Sequence, residues 1–416
     1  MPRRRGHPRG GPVKRIVVAG ASLTGLRAAE SLRANGFTGE LLIIGAEPHE
    51  PYDRPPLSKA VLAGRLGTDH LQLPVARGLD AGWWLGRPVT GLDLTSREVR
   101  AGADRIGFDG LVIATGAGAR PGPPGTHVVR TRDDADRLRR ALAGGPRRVL
   151  VVGAGFTGSE VASSCVDLGL PVTVVHRGAT PMGSALGDTV GAVLGARQRA
   201  HGVDLRTHTT LTGLDGGRAT LSDGTRLDAD VVVVATGSVP HTAWLSGSGV
   251  SAGPSGVDCD AACRVLDTHG DVIPEVYAAG DVARWRHPRF EAPPQRFEHW
   301  GNALDQAEVA AHNLCGGPRR EVTTLPAFWS DQFGLNIKAI GLPHLADDVM
   351  LTQGSFERRS FVAAYGRGGV TVGAMAVDSP RVLDGYAALI TERAPFPPAI
   401  GATDSPALTT VSGGPA

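Results

Sequence analysis

Two clusters of glycines stand where main chain could hold a phosphate. In VAGASLTG, Gly20 and Gly25 bracket Ser22, and in VGAGFTG, Gly153, Gly155 and Gly158 complete a GxGxxG. Each cluster lies between an apolar run and apolar residues at helical spacing. KRIVVAGASLTGLRAAESLRANG reads strand, glycine loop, helix, and so does RRVLVVGAGFTGSEVASSCVDLG at 147–169. Such glycines let the backbone approach a pyrophosphate, whose charge then meets the positive end of a helix. A second strand follows each unit, ELLIIG at 40–45 and PVTVVHRG at 171–178. A matching phrase closes each, LVIATGA at 111–117 and VVVVATGS at 231–238. One glycine loop is a weak signal, but two in this context describe two βαβ dinucleotide-binding units.

The first unit departs from the pattern twice. Ser22 puts a small side chain with a hydroxyl where the second glycine belongs. The acid expected about 20 residues on, to hold a ribose, is displaced: Ala46 follows Gly45, and Glu47 comes next. Glu47 is either that ribose ligand or a surface glutamate. Other reactive types are sparse, with three lysines (Lys14, Lys59, Lys338) and four cysteines (Cys165, Cys259, Cys263, Cys315). Cys259 and Cys263 form a lone Cys-x3-Cys, weak for zinc and too few for an iron–sulfur cluster, so no metal is expected.

The elements that position these residues need more than one core. A chain of 416 residues fits two or three domains, and 58 glycines with 30 prolines suit a site-rich enzyme. A net charge of +2 favours neither nucleic acid nor membrane. No stretch has the roughly 18 consecutive apolar residues of a membrane helix. The cysteines are too few and scattered to staple a secreted protein, which points to a reducing cytoplasm. Residues 1–13 read as a disordered basic leader, and the Pro-, Gly-, Ser- and Thr-rich 396–416 as a disordered tail.

With both dinucleotide units, PYDRPPLSK at 51–59 and VYAAGDVA at 276–283, the sequence resembles the two-dinucleotide flavoprotein reductases of the glutathione reductase superfamily. Within it, the sequence is similar to the FAD-dependent ferredoxin reductases that serve Rieske dioxygenases and bacterial haem-thiolate monooxygenases, the putidaredoxin reductase type. The likeness covers roughly residues 14–393 and includes RFEHWGNALDQ (296–306) and FWSDQFG (328–334). It implies an α/β fold of two Rossmann-like domains, for FAD and NAD(P), plus a C-terminal α+β domain. The FAD domain is expected from 14–118 and 242–315, with the nicotinamide domain (119–241) inserted, and the C-terminal domain over 316–395.

The resemblance also distributes roles. Asp281 would bond the ribityl chain of a non-covalent FAD, with Gly280 giving it room. Arg54 and Lys59 would line the flavin, Arg130 would reach it from the interdomain side, Thr115 and Gly116 would border its diphosphate, and Trp300 would lie against the cofactor region. Taken alone, Asp281 reads equally as a helix cap, Arg54 and Arg130 as solvated side chains, and Trp300 as core. Glu160, placed in the first turn of its helix, would pair with Lys59 beside the flavin, where an oriented ammonium stabilises charge arriving with hydride. Its plain alternative is favourable placement at a helix N-terminus. In the second unit, Gly237 belongs to the closing phrase, and the strand ends on His176 and Arg177 where users of NADH commonly carry an acid. That leaves NADPH or NADH open, leaning to the phosphate form. His299 is a lone histidine of structural type.

Thiol reductases of the superfamily hand electrons to a cysteine pair at the flavin edge, which this sequence lacks there. Electrons would leave directly for a two-iron two-sulfur ferredoxin feeding an oxygenase. Arg284, Arg286, Arg289 and Arg296, with Trp285, offer a docking patch or an ordinary solvated loop. A biosynthetic flavoenzyme acting directly on a small molecule is the alternative, a redox sensor a third. Monomer and homodimer are both compatible with the sequence.

Overall fold

The computed structural model describes residues 14–357, 360–398 and 411–412. The expected leader, and the tail over 399–410 and 413–416, lie outside the described residues.

In the first unit, β1 (Arg15–Ala19) leads through the glycine loop into α1 (Leu23–Ala34) and then β2 (Glu40–Ile44), β3 (Gly82–Trp84) and β4 (Gly110–Ile113). Helix α2 (Arg132–Ala143) bridges to the second unit, which repeats the plan with β5 (Val149–Val152), α3 (Phe156–Asp167), β6 (Val172–Val175), β7 (Asp204–Arg206) and β8 (Val231–Val234). The second sheet runs β7-β6-β5-β8, all parallel. The chain then returns, and β9 (Arg264–Leu266) and β10 (Val272–Ala278) join the first sheet in the order β9-β10-β4-β1-β2-β3. That sheet therefore draws strands from both sides of the second unit. The central strands are continuous runs of Val, Ile, Leu and Ala with almost no exposure, the pattern of parallel strands covered on both faces.

The repeat is geometric down to single atoms. Gly20 has φ +126° and Gly153 φ +106°, and a Cβ on them would meet the carbonyl oxygens of Ala114 at 2.0 Å and Ala235 at 2.3 Å, each in an ATG phrase. Gly25 and Gly158 sit so close to their own loops that a Cβ would fall 1.8 and 1.9 Å from the oxygens of Gly20 and Gly153. These third glycines set the approach of helix to strand. Each unit also carries a three-stranded antiparallel meander, over 89–107 and 211–228, with a register shift in the same place. A repeated TGLD, at 90–93 and 212–215, marks both and was the available signal for them.

Helix α4 (Trp300–Leu314) packs along α1 and leads to the last sheet: β11 (Ala327–Gln332), β12 (Leu335–Gly341), β13 (Asp348–Gly354), β14 (Phe361–Arg367) and β15 (Val370–Val377). Its order is β11-β12-β15-β14-β13-β16, where β16 is the two-residue Val411–Ser412, and α5 (Leu383–Thr391) packs against it. Two features depart from a disordered tail beginning at Phe396. The Phe396 amide bonds the Gly369 carbonyl at 2.8 Å and its ring packs with the sheet's apolar face, while β16 pairs with β13.

The β11–β12 hairpin turns on Phe333 and Gly334, at φ +50° and +68°. Two left-handed residues match the twist of a tight hairpin, but an aromatic there is unusual. Its reason is burial: the ring is 3% exposed, packed among the core residues of the second Rossmann unit, and its amide donates to Ser163 Oγ at 2.7 Å. Phe333→Ala should therefore cost about 3 kcal/mol, measured as a lower urea midpoint.

Candidate active site

One cleft of about 550 Å3 runs across the C-terminal edge of the first sheet to the start of α3. It lies within the roughly 300–1,000 Å3 of cofactor pockets. Gly20, Ser22, Glu47, Arg54, Lys59, Thr115, Gly116, Arg130, Glu160, Asp281 and Trp300 all line it.

The donor set suits a dinucleotide at one end. Helix α1 starts at Ser22 without a side-chain cap or an acid in its first turn, unlike α2, which has a complete Thr131–Asp134 capping box. Its first amides can therefore serve an anion. Ser22 Oγ accepts from Arg54 Nε and Nη2, both at 3.3 Å, so the departure from glycine is absorbed by an arginine bond. Glu47 pairs with Arg54 Nη2 at 2.6 Å and accepts from the Tyr52 hydroxyl at 2.5 Å. Tyr52 in turn accepts from Arg54 and from the Arg132 amide. Arg130 ion-pairs with Asp281 and donates to the Ala117 carbonyl.

The far end is built around a buried carboxylate. Glu160 is in the second turn of α3, one turn later than expected, since α3 begins at Phe156 and has no acid in its first turn. Its Oε2 lies 2.8 Å from Lys59 Nζ, with side-chain exposures of 6% for Glu160 and 17% for Lys59. The Ser58 hydroxyl donates to the same oxygen at 2.5 Å, and Ser330 from β11 donates to Oε1 at 2.6 Å. Beside them, Trp300 Nε1 donates to Asp53 at 3.2 Å and its ring meets Trp329 edge-on at 6.4 Å. Burial raises the Asp53 carboxyl above its ordinary value, partly opposed by the Trp300 bond and the Lys59 charge. The sequence reading singled out none of Ser58, Ser330 and Asp53; Ser58 and Asp53 adjoin Lys59 and Arg54, and Ser330 sits inside FWSDQFG.

Three expectations change. Gly280 does not line the cleft: at φ +76°, a Cβ there would meet Thr24 Oγ1 at 2.4 Å, so it gives room to α1. Gly25 is also outside it, for the helix-packing reason given above. The four arginines of 284–296 do not share a free basic face. Arg284 pairs with Asp258 at 2.5 Å, and Arg296 with Glu298 and the Asp281 carbonyl. Arg289 donates to the Thr323 and Thr391 carbonyls, Arg286 is exposed, and Trp285 is core at 1% exposure.

Gly153, Gly155, His176, Arg177 and Gly237 lie at the edge of the second sheet, outside the cleft; α3 joins the two places through Thr157 and Glu160. Open space surrounds the Gly155 and Gly237 Cβ positions, as close approach of a ligand requires. His176 Nδ1 accepts from the Ala154 amide at 3.3 Å, while Arg177 is exposed. No cysteine lines the cleft; Cys165, Cys259 and Cys263 are buried and Cys315 is partly buried, and burial pushes the Cys165 thiol up to about 12.

Residues 14–307 match the model of the pyridine nucleotide-disulphide oxidoreductase family, and 327–412 that of the reductase C-terminal domain. The chain belongs to that family and is an NAD(P)H-dependent oxidoreductase and flavoprotein. It is 33% identical over 389 residues to a ferredoxin–NAD(P)+ reductase of Sphingomonas sp, covering 88% of this chain and 90% of that one. With the putidaredoxin reductase of Pseudomonas putida it shares 32% identity over 404 residues, covering 92% and 93%. The solved covalent complex of putidaredoxin reductase with putidaredoxin superposes with a TM-score of 0.85 at 29% identity, covering 92% and 94%. No helix among the described residues is long and apolar enough to cross a membrane.

His299 lines the cleft with its Nδ1 buried and without a partner, and burial holds its imidazole down to about 4 from 6.5. Burial thus favours its neutral form. Because the unfolded chain binds the proton first, stability should fall as pH drops from 6.5 towards about 4 and level off below. Urea midpoints for His299→Phe should lose that part of the pH dependence.

Proposed function

We propose that this protein takes hydride from a nicotinamide nucleotide onto bound FAD and passes the electrons singly to a two-iron two-sulfur ferredoxin that feeds an oxygenase. The observation that carries the reading is the Lys59–Glu160 pair in a cleft that no cysteine lines. FAD supplies the exchange between a two-electron hydride and single-electron departures. The protein binds, orients and stabilises. The α1 amides, Thr115 and Gly116 would border the diphosphate, Glu47 would hold the ribose and Asp281 the ribityl chain. Lys59 would offer an ammonium to charge arriving at the isoalloxazine ring, with Glu160 fixing its direction. The relatives named as ferredoxin and putidaredoxin reductases, and the solved complex with putidaredoxin, support the choice of acceptor.

The test is cytochrome c reduction by the FAD-loaded protein with NADPH or NADH, with and without an added two-iron ferredoxin. Strong ferredoxin dependence is expected. Rapid flavin reduction that no ferredoxin accelerates would favour a small-molecule acceptor instead. In stopped-flow, Lys59→Ala should slow flavin reduction by about tenfold or more with FAD content retained; an unchanged rate removes the role of Lys59.

At the second sheet, an imidazole and an exposed guanidinium stand at the strand end in place of an acid, an arrangement that favours a 2′-phosphate. We place NADPH ahead of NADH on this ground. Arg177→Ala should then raise KM for NADPH by about fivefold and leave KM for NADH within about twofold.

A further inference from the structure

We infer that Ser330, a residue of the C-terminal sheet, is a positioning residue for flavin reduction. Its fully buried hydroxyl is what fixes the Glu160 carboxylate in the orientation that directs Lys59. The inference rests on the Lys59–Glu160 role proposed above and extends it into a different part of the chain.

The direction of the hydrogen bonds is set by chemistry. Gln332 Nε2 can only donate, and it donates to Ser330 Oγ at 3.0 Å. The Ser330 hydroxyl proton is then committed to Glu160 Oε1, 2.6 Å away. On the other side, Oε2 receives the Ser58 hydroxyl at 2.5 Å and the Lys59 ammonium at 2.8 Å. Each oxygen is therefore occupied by a separate segment of the chain, and Lys59, which also donates to the Pro55 carbonyl at 3.2 Å, is left one position on the carboxylate.

Ser330 cannot drift from this arrangement. It pairs with Ile337 in the β11–β12 ladder, and the turn that follows is pinned by the Phe333 ring and by its amide bond to Ser163, one helical turn after Glu160. A second tie runs from Ser164 Oγ to the Ser58 carbonyl at 2.9 Å. Helix α3 thus presents Glu160, Ser163 and Ser164 to two neighbours at once. Without the Ser330 hydroxyl, Oε1 becomes a bare acceptor in a site that is almost closed to water. The Lys59 ammonium, already held on the other oxygen of the same carboxylate, would turn towards it and away from the cleft.

The experiment is stopped-flow reduction of the FAD-loaded protein by NADPH in four forms: wild type, Ser330→Ala, Glu160→Gln and the double variant. Ser330→Ala should lower the limiting rate of flavin reduction by about tenfold while the nucleotide's apparent Kd stays within about twofold. In the Glu160→Gln background the same change should alter the rate by less than about twofold, because the serine acts through the carboxylate. Wild-type reduction by Ser330→Ala, a loss confined to Kd, or an equal tenfold loss in both backgrounds overturns the inference. If Glu160→Gln alone reduces at the wild-type rate, the role of the ion pair fails and this inference with it. A slow Glu160→Gln beside a fast Ser330→Ala removes only the serine. Should Ser330→Ala fold poorly, Ser330→Cys keeps the packing with a weaker donor and should show the same coupling at smaller amplitude.

Discussion

A carboxylate 6% exposed cannot remain charged inside a protein unless something replaces its water. Here the replacement comes from an ammonium and two hydroxyls, and these donors belong to parts of the chain that are distant in sequence. Ser58 and Lys59 follow the first Rossmann strand pair, Glu160 rides on the second glycine-motif helix, and Ser330 arrives with the final sheet. Satisfying one buried charge therefore requires all three bodies in register. The cleft lies across the junction for the same reason: its glycine-loop edge is supplied by one unit and its Lys59–Glu160 end by the meeting of three.

The duplicated units show how the same local physics can be turned to different ends. Both place a left-handed glycine against an ATG carbonyl and bring the helix down on its loop with a third glycine. They diverge where a ligand would be recognised. The first unit has Ser22 tied to Arg54 and Glu47 tied to Tyr52, a connected polar network. The second keeps an open Gly155 and ends its strand on His176 and Arg177. Shared glycines hold a scaffold common to both, and the side chains around them differ from one unit to the other.

Much of this was legible in the sequence because it depends on short-range rules. Glycine spacing, apolar runs and the repeated ATG located both units and pointed to Ser22 and Glu47, while the family resemblance, not any local rule, singled out the cleft-lining Arg54, Lys59, Thr115, Gly116, Arg130, Asp281 and Trp300. What escaped depends on contacts over long separations. Ser330 lies 170 residues from the carboxylate it serves, and nothing local distinguishes a serine in a strand from one with that task. The arginines of 284–296 misled for the converse reason. Composition suggested a charged surface, but Asp258, Glu298 and several carbonyls consume three of the guanidiniums, partners that only the folded chain reveals. Gly280 was credited to the cofactor when its neighbour is a helix residue, Thr24.

The left-handed Phe333 has a consequence for anyone who would recombine this protein with its relatives. Its side chain forms part of the interior of a unit whose own chain ended about a hundred residues earlier. A chimera cut at the apparent domain borders would exchange the socket and leave the plug behind. The unit of exchange is the second Rossmann unit together with the hairpin tip that completes its core, two pieces of sequence that must be inherited as one.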